Sequence, residues 1–345
     1  MSLKKFVVDY IEGKSPNRWV GYLLFFFSKL FYLAIGIRNL AFDARILPIK
    51  RFSKPVVSIG NIVAGGTGKT PLVLHLAKEL SKTKKVAILS RGYLGALERA
   101  FPSVCINKLK EATSNIVGDE PFLYLTHLPQ VDIWVGKNRL SSAKQAIENG
   151  AEILLLDDGM QFRSLHRDVD IAVVDSKDPW GGNHYLPRGF LRDSPKRLKN
   201  VDLLVLSHTE NFEHYKEVEK EIRKISSAPI TATHFIMKGD IPHKKAGVFC
   251  GIGKPQRFLH NLQKDEVEIV DTLLCVDHEI PAKQTLEIFA KACQNKGAEC
   301  LLCTEKDFVK IPQNLETCIP IVCVKIELEF VSGKNFLDTS IERLK

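Results

Sequence analysis

An α/β fold built on a P-loop and a doubly wound, mostly parallel sheet, with a second, smaller α/β domain and an N-terminal membrane-associated helix, is predicted by three features of this 345-residue sequence. Short apolar runs alternate with helical patterns through the middle of the chain. One of them leads into a glycine-rich turn, Gly65-Gly66-Thr67-Gly68-Lys69-Thr70, and a stretch rich in aromatic residues with basic flanks stands near residue 1. Alternation of this kind marks parallel βαβ units with helices on both faces of the sheet.

The N-terminal segment, 1–54, holds ten Lys/Arg against Asp9, Glu12 and Asp43, so most of the formal +9 charge sits there. The excess flanks residues 19–37, which include Leu23-Leu24-Phe25-Phe26-Phe27 and Leu30-Phe31-Tyr32-Leu33. As a helix these would extend roughly 28 Å, enough to reach across a hydrocarbon core. Lys29 near the middle opposes a span, at a cost of about 2.5–3.5 kcal/mol, and cations at both ends remove any positive-inside bias. A helix lying in an anionic membrane surface is favoured over a span or a buried helix. No small-residue cleavage site follows, which argues against a signal peptide.

Pro55-Val56-Val57-Ser58-Ile59-Gly60 reads as the first strand and Leu72-Val73-Leu74-His75-Leu76-Ala77-Lys78-Glu79-Leu80 as the helix after the turn. Strand, glycine turn, helix is the P-loop context. Gly65, Gly66, Thr67 and Gly68 let backbone N–H groups close on a polyphosphate, Lys69 reaches the β- and γ-phosphates, and the Thr70 hydroxyl takes Mg²⁺. Val63 stands where the usual spelling has its first glycine. Further strands are expected at 86–90, 131–135, 153–158, 171–175 and 203–207. Residues 229–246 read as an extended linker after the P-loop domain (55–228), and 247–345 as the smaller domain. The eight cysteines are expected as reduced thiols; Cys300-Leu301-Leu302-Cys303 lacks a second pair or a nearby histidine to make a zinc set.

Ile153-Leu154-Leu155-Leu156 delivers Asp157 and Asp158 to the carboxyl end of a buried strand, as a Walker B carboxylate is delivered, although Asp-Asp-Gly is also good turn chemistry. Asp119 and Glu120 precede Pro121 at a helix start, where capping alone could account for them. Ser90-Arg91-Gly92-Tyr93 closes the second strand, and Arg91 could hold a phosphate. Asp277-His278 taken alone is a weaker signal.

In this order and spacing the motifs resemble the tetraacyldisaccharide 4′-kinase family of lipid A biosynthesis over about residues 19–325. The resemblance rests on Ser58-Ile59-Gly60-Asn61, the P-loop with Pro71, Ser90-Arg91-Gly92-Tyr93, Val117-Gly118-Asp119-Glu120-Pro121 and Asp157-Asp158-Gly159-Met160-Gln161. Leu186-Pro187-Arg188-Gly189-Phe190-Leu191-Arg192-Asp193, Gly251-Ile252-Gly253-Lys254-Pro255, Asp277-His278 and Thr304-Glu305-Lys306-Asp307 continue it. Four departures stand out. Phe162 replaces the usual histidine, Asp193 the usual glutamate, and Arg188 and Phe190 replace smaller residues.

The resemblance implies an ATP-dependent phosphotransferase that phosphorylates the 4′-hydroxyl of a lipid A disaccharide 1-phosphate at the cytoplasmic face of the inner membrane. It implies Asp119 as base with His278 in support, Lys69 on the phosphates, and Thr70, Asp157 and Asp158 around Mg²⁺. Arg91, Tyr93, Gln161 and Arg192 are candidate substrate contacts. An anionic membrane surface is the expected partner, with no obligate protein partner. The alternative, a membrane-docked P-loop GTPase or regulatory ATPase, lacks a guanine-reading motif, since Thr304-Glu305-Lys306-Asp307 has those residue types in the wrong order. Nucleic acid is disfavoured because the basic excess lies beside the apolar aromatic helix.

Overall fold

The computed structural model describes residues 3–11, 13, 17–238, 244–312, 314–342 and 344. Helices α1 (Leu3–Ile11) and α2 (Arg18–Asp43) precede β1 (Val56–Gly60), α3 (Lys69–Leu80), β2 (Val86–Ser90), β3 (Val104–Cys105), α4 (Ser114–Val117), α5 (Asp119–His127), β4 (Asp132–Val135), α6 (Arg139–Glu148) and β5 (Ile153–Asp157). Then come β6 (Val169–Asp175), β7 (Leu203–Ser207), α7 (Phe212–Arg223), β8 (Ile230–Lys238), β9 (Lys245–Cys250), α8 (Pro255–Lys264) and β10 (Glu268–Leu274). The chain ends with α9 (Lys283–Asn295), β11 (Cys300–Thr304), α10 (Glu305–Phe308), β12 (Ile321–Ser332) and α11 (Lys334–Glu342).

The strands form one sheet in the order β10-β9-β11-β12-β8-β7-β6-β1-β5-β2-β4-β3. β1 lies between β5 and β6, parallel to both, with Ser58 beside Leu156 and Asp170. β1, β5, β6 and β7 are buried along their whole length. Their largely apolar runs follow from coverage on both faces. Ile153 and Leu155 face α3 and α5, packing with Leu72, Leu76 and Tyr124. Leu154 and Leu156 face the other way, onto Ala143 and Ala146 of α6. The period of two in the strand decides which helix each residue meets.

Two expectations need correction. Within 229–246, Ile230–Lys238 is strand β8; residues 239–243 lie outside the described ones. It pairs parallel with β7 (Ile230 beside Leu204), then antiparallel with β12 (Phe235 beside Leu328). Its buried Thr231 and Thr233 hydroxyls donate to the carbonyls of Gly333 and Leu206 at 2.8 and 3.3 Å, so polar side chains sit satisfied in a central strand. The segment 247–345 does not form a separate layer throughout. β12 runs parallel to β11 at 321–324 and then crosses to β8, and Leu337 and Ile341 of α11 return to the core beneath β6 and β7. Cys300 and Cys303 point to opposite faces of β11, in different apolar clusters, and all eight cysteines are free thiols.

α2 is capped by Asn17, whose side-chain oxygen accepts from the amides of Trp19 and Val20 at 3.0 and 3.3 Å. It is long and apolar enough to cross a membrane, yet only 17% of its most apolar window is buried. Its C-terminal turns dock on the loops after β5 and β6. Asn39 donates to Asp193 at 2.8 Å, and Arg163 donates to Asp43 at 2.6 Å. The Arg188 guanidinium lies over the Phe25 ring and Tyr32 packs on Tyr185, so two departures from the family pattern, Arg188 and Asp193, fall on this helix-docking surface.

Candidate active site

The turn after β1 is held from several sides. Asn61 donates to the Val63 carbonyl at 2.6 Å and to the Thr67 hydroxyl at 2.7 Å, and Ser207 at the end of β7 donates to the Thr67 carbonyl at 2.7 Å. Gly68 has φ +83°, and a Cβ there would come within 2.6 Å of the Phe235 ring, so a side chain is excluded twice over. Val63 replaces glycine without strain because it packs as an apolar residue with Met160 and Leu191. Lys69 and Thr70 open α3 immediately beyond.

Asp157 and Asp158 are adjacent but unlike. Asp157 ends β5 and accepts from Ser90 at 3.0 Å through Oδ2, while its buried Oδ1 has no partner. Burial, with Glu120 and Asp158 adding to it, pushes its carboxyl upward. Asp158, at φ +50°, turns away into cations. Both its oxygens accept from Arg192, at 2.7 and 2.8 Å, and Lys69 stands 3.4 Å off. Burial opposes its charge, but Lys69 and Arg192 outweigh it and hold the carboxyl well below the usual range.

The start of α5 brings Asp119 and Glu120 to the same edge. A Cβ on Gly118 would lie 2.9 Å from the Gly92 carbonyl carbon, so glycine at both positions lets the 90–95 turn and α5 touch. Asp119 Oδ2 accepts from His278 Nδ1 and from Lys310 Nζ, each at 2.9 Å. Burial raises the Asp119 carboxyl, and these two partners more than reverse it. Glu120 Oε1 accepts from the Thr70 hydroxyl at 3.1 Å and from Lys306 at 2.8 Å. The structure therefore unites Asp119 with His278 from a distant part of the chain, and ties both to the P-loop threonine through Glu120.

The remaining candidate contacts surround this centre. Gln161 donates to the Asn61 carbonyl at 2.8 Å and so braces the P-loop. Arg192 lies on Asp158 and on the Asn61 side-chain oxygen. Arg91 is held by Glu98 at 2.6 Å and lies over the Tyr93 ring, which meets His278 edge-on at 5.6 Å, so these two border the dyad. Sequence reasoning missed Glu120 as a partner of Thr70, and it missed Lys306, Lys310 and Arg139. Arg139, buried at the start of α6, lies over the Phe162 ring at 5.7 Å and within electrostatic reach of both aspartates. Lys306 lies in Thr304-Glu305-Lys306-Asp307, whose contacts no local spacing reveals; nothing in the sequence marks Arg139.

A polyphosphate cradle alone defines a nucleotide-binding protein. With a carboxylate–imidazole pair beside the cradle's threonine, the fold and site define a P-loop phosphotransferase. The family model described as LpxK: Tetraacyldisaccharide-1-P 4'-kinase matches residues 20–344, and the chain belongs to that family. It is 38% identical over 342 residues to the tetraacyldisaccharide 4'-kinase of Chlamydia pneumoniae, covering 92% of this chain and 88% of that one. To the Halothermothrix orenii tetraacyldisaccharide 4'-kinase it is 31% identical, covering 90% and 89%. The crystal structure of LpxK from Aquifex aeolicus in complex with ATP is similar at a TM-score of 0.73 and 26% identity, covering 94% of this chain and 99% of that one.

Proposed function

We propose that this chain transfers the γ-phosphoryl group of ATP to the 4′-hydroxyl of tetraacyldisaccharide 1-phosphate, the lipid A disaccharide, at the cytoplasmic face of a bacterial inner membrane. The observation that carries the reading is the Asp119–His278 contact of 2.9 Å, one residue from the Glu120 that takes the Thr70 hydroxyl. The acceptor oxygen bonds to the γ-phosphorus, the bond to the β,γ-bridging oxygen breaks with its electron pair leaving on ADP, and the hydroxyl proton goes to Asp119. An ionised Asp119 can only accept, so His278 donates from Nδ1 and orients the carboxylate. Lys69 and the backbone N–H groups of 65–70 hold the phosphates.

Mg²⁺ fits the residues present. The buried, unpartnered Asp157 Oδ1 is an oxygen that a cation would satisfy, and Thr70 offers a hydroxyl at the start of α3. Bound there, the ion would neutralise charge on the β- and γ-oxygens. Asp158 acts beside it through Lys69 and Arg192.

The exposed face of α2, with Trp19 82% and Leu40 68% exposed, supports attachment in the membrane interface with basic flanks on anionic headgroups. An acylated sugar is costly to withdraw from a bilayer, so the catalytic layer must work at the headgroup plane. The test is incubation of purified protein with ATP, Mg²⁺ and tetraacyldisaccharide 1-phosphate. A 4′-phosphorylated product is expected; nucleotide hydrolysis without that product would sink the assignment.

A further inference from the structure

The segment 304–310 reaches across to α5 with three consecutive grips. Glu305 accepts from or pairs with His127 at 2.8 Å, Lys306 donates to Glu120 at 2.8 Å, and Lys310 stands 2.9 Å from Asp119. The segment is itself fixed. Thr304 caps α10 through the Asp307 amide at 3.3 Å, and the buried Asp307 carboxylate accepts from the Thr304 hydroxyl at 2.5 Å and from the Gly251 amide at 2.9 Å. Lys310 is the more enclosed of the two lysines, its side chain 7% exposed. Asp119 Oδ2 is thus held twice, by His278 and Lys310, which leaves Oδ1 as the oxygen that can meet a hydroxyl.

We propose that Lys310 is a positioning residue for the phosphoryl-transfer base: its ammonium pins one oxygen of Asp119 and keeps the carboxylate ionised, so that the other oxygen faces the acceptor. This rests on Asp119 being the base. Around Asp119 the charged groups are His278, with Asp277 3.7 Å beyond it, Lys310, Asp307 from the same segment as Lys310, and Glu120 on its own helix. Lys310 is the nearest full cation and His278 is charged only when protonated. Without that cation the carboxylate takes a proton at higher pH, and the base is lost sooner as pH falls.

The test is the pH dependence of kcat in the full-length enzyme for wild type, Lys310→Met, Lys310→Arg and Asp119→Asn. Methionine keeps the stem and removes the charge. The acid limb should move up by about one pH unit in Lys310→Met, giving roughly a tenfold loss on the limb that shrinks as pH rises. The KM for ATP should stay within about twofold, because the nucleotide is held elsewhere. Lys310→Arg should restore the limb. An acid limb that stays in its wild-type place in Lys310→Met, with kcat whole or lowered equally at every pH, overturns the proposal. Asp119→Asn turning over at the wild-type rate sinks the base reading and the proposal with it, whereas an inactive Asp119→Asn beside an unmoved Lys310→Met limb sinks the proposal alone. Should Lys310→Met be too unstable to assay, melting reads the same contact: it should lower Tm with Asp119 present and do little in the Asp119→Asn background. Equal loss in both backgrounds overturns it.

Discussion

The central strands carry carboxylates at both ends, and the two sets differ in how far backbone amides hold them. At the N-terminal edge Asp168 accepts from the Val56 amide and from Arg51, both at 2.9 Å, and Asp202 accepts from the Asp170 amide at 2.8 Å. Beside the exposed Arg51, each takes a backbone N–H of the neighbouring strand, which cannot move without opening the sheet. At the C-terminal edge Asp158, Asp119, Glu120 and Asp175 are held by the side chains of Arg192, Lys310, Lys306, Lys254 and Arg257, all from other segments, and Asp157 keeps one oxygen unmatched. A carboxylate locked by backbone amides is architecture. One balanced by long cationic side chains can exchange partners when a polyphosphate or a metal arrives.

Substitutions on the two edges should sort accordingly. Asp119→Asn should lower kcat by about 10²–10⁴-fold while ATP affinity, read by calorimetry, stays near wild type. Lys69→Ala should lower turnover by about 10²–10³-fold and leave the KM for the disaccharide little changed; equal losses in both would place Lys69 in ground-state binding instead.

Asp157→Asn should separate activity from stability. Burial, Glu120 and Asp158 raise this carboxyl in the folded state, so without metal its own contribution to stability is fully present below the ordinary carboxylate range and is lost as pH rises toward the elevated value. The variant should lack that loss, melting higher than wild type at neutral pH without Mg²⁺ while failing to respond to Mg²⁺ in turnover. A lower melting point in the variant would count against the unmatched charge. Asp168→Asn is the mirror image: about 1–2 kcal/mol of stability lost with kcat unchanged, read by denaturant unfolding beside the activity assay.

What was legible in the sequence follows the same division. β1, β2, β4, β5, β6 and β7, the P-loop, and the delivery of Asp157 to a strand end rest on local periodicity and spacing, which a single chain displays. β8 was hidden because its threonines are satisfied by carbonyls of distant residues. The difference between Asp157 and Asp158 lies in one left-handed residue that aims the second carboxylate at Arg192. Lys306 meets Glu120 across 186 residues of chain, and no spacing rule reaches that far. That Gln161 braces the loop by donating to the Asn61 carbonyl is likewise a contact across 100 residues that spacing does not display.

Arg192 and Asp193 are neighbours with different attachments. Asp193 is fully buried against Asn39 and close to Arg38 of α2, while Arg192 holds Asp158. A tilt of the helix would pull on Asp193 and, one peptide unit away, on the Arg192 that holds Asp158 beside Lys69. Extraction into detergent, or a change in the lateral pressure of the lipids, would then alter the rate even when every acceptor molecule is already dispersed and within reach.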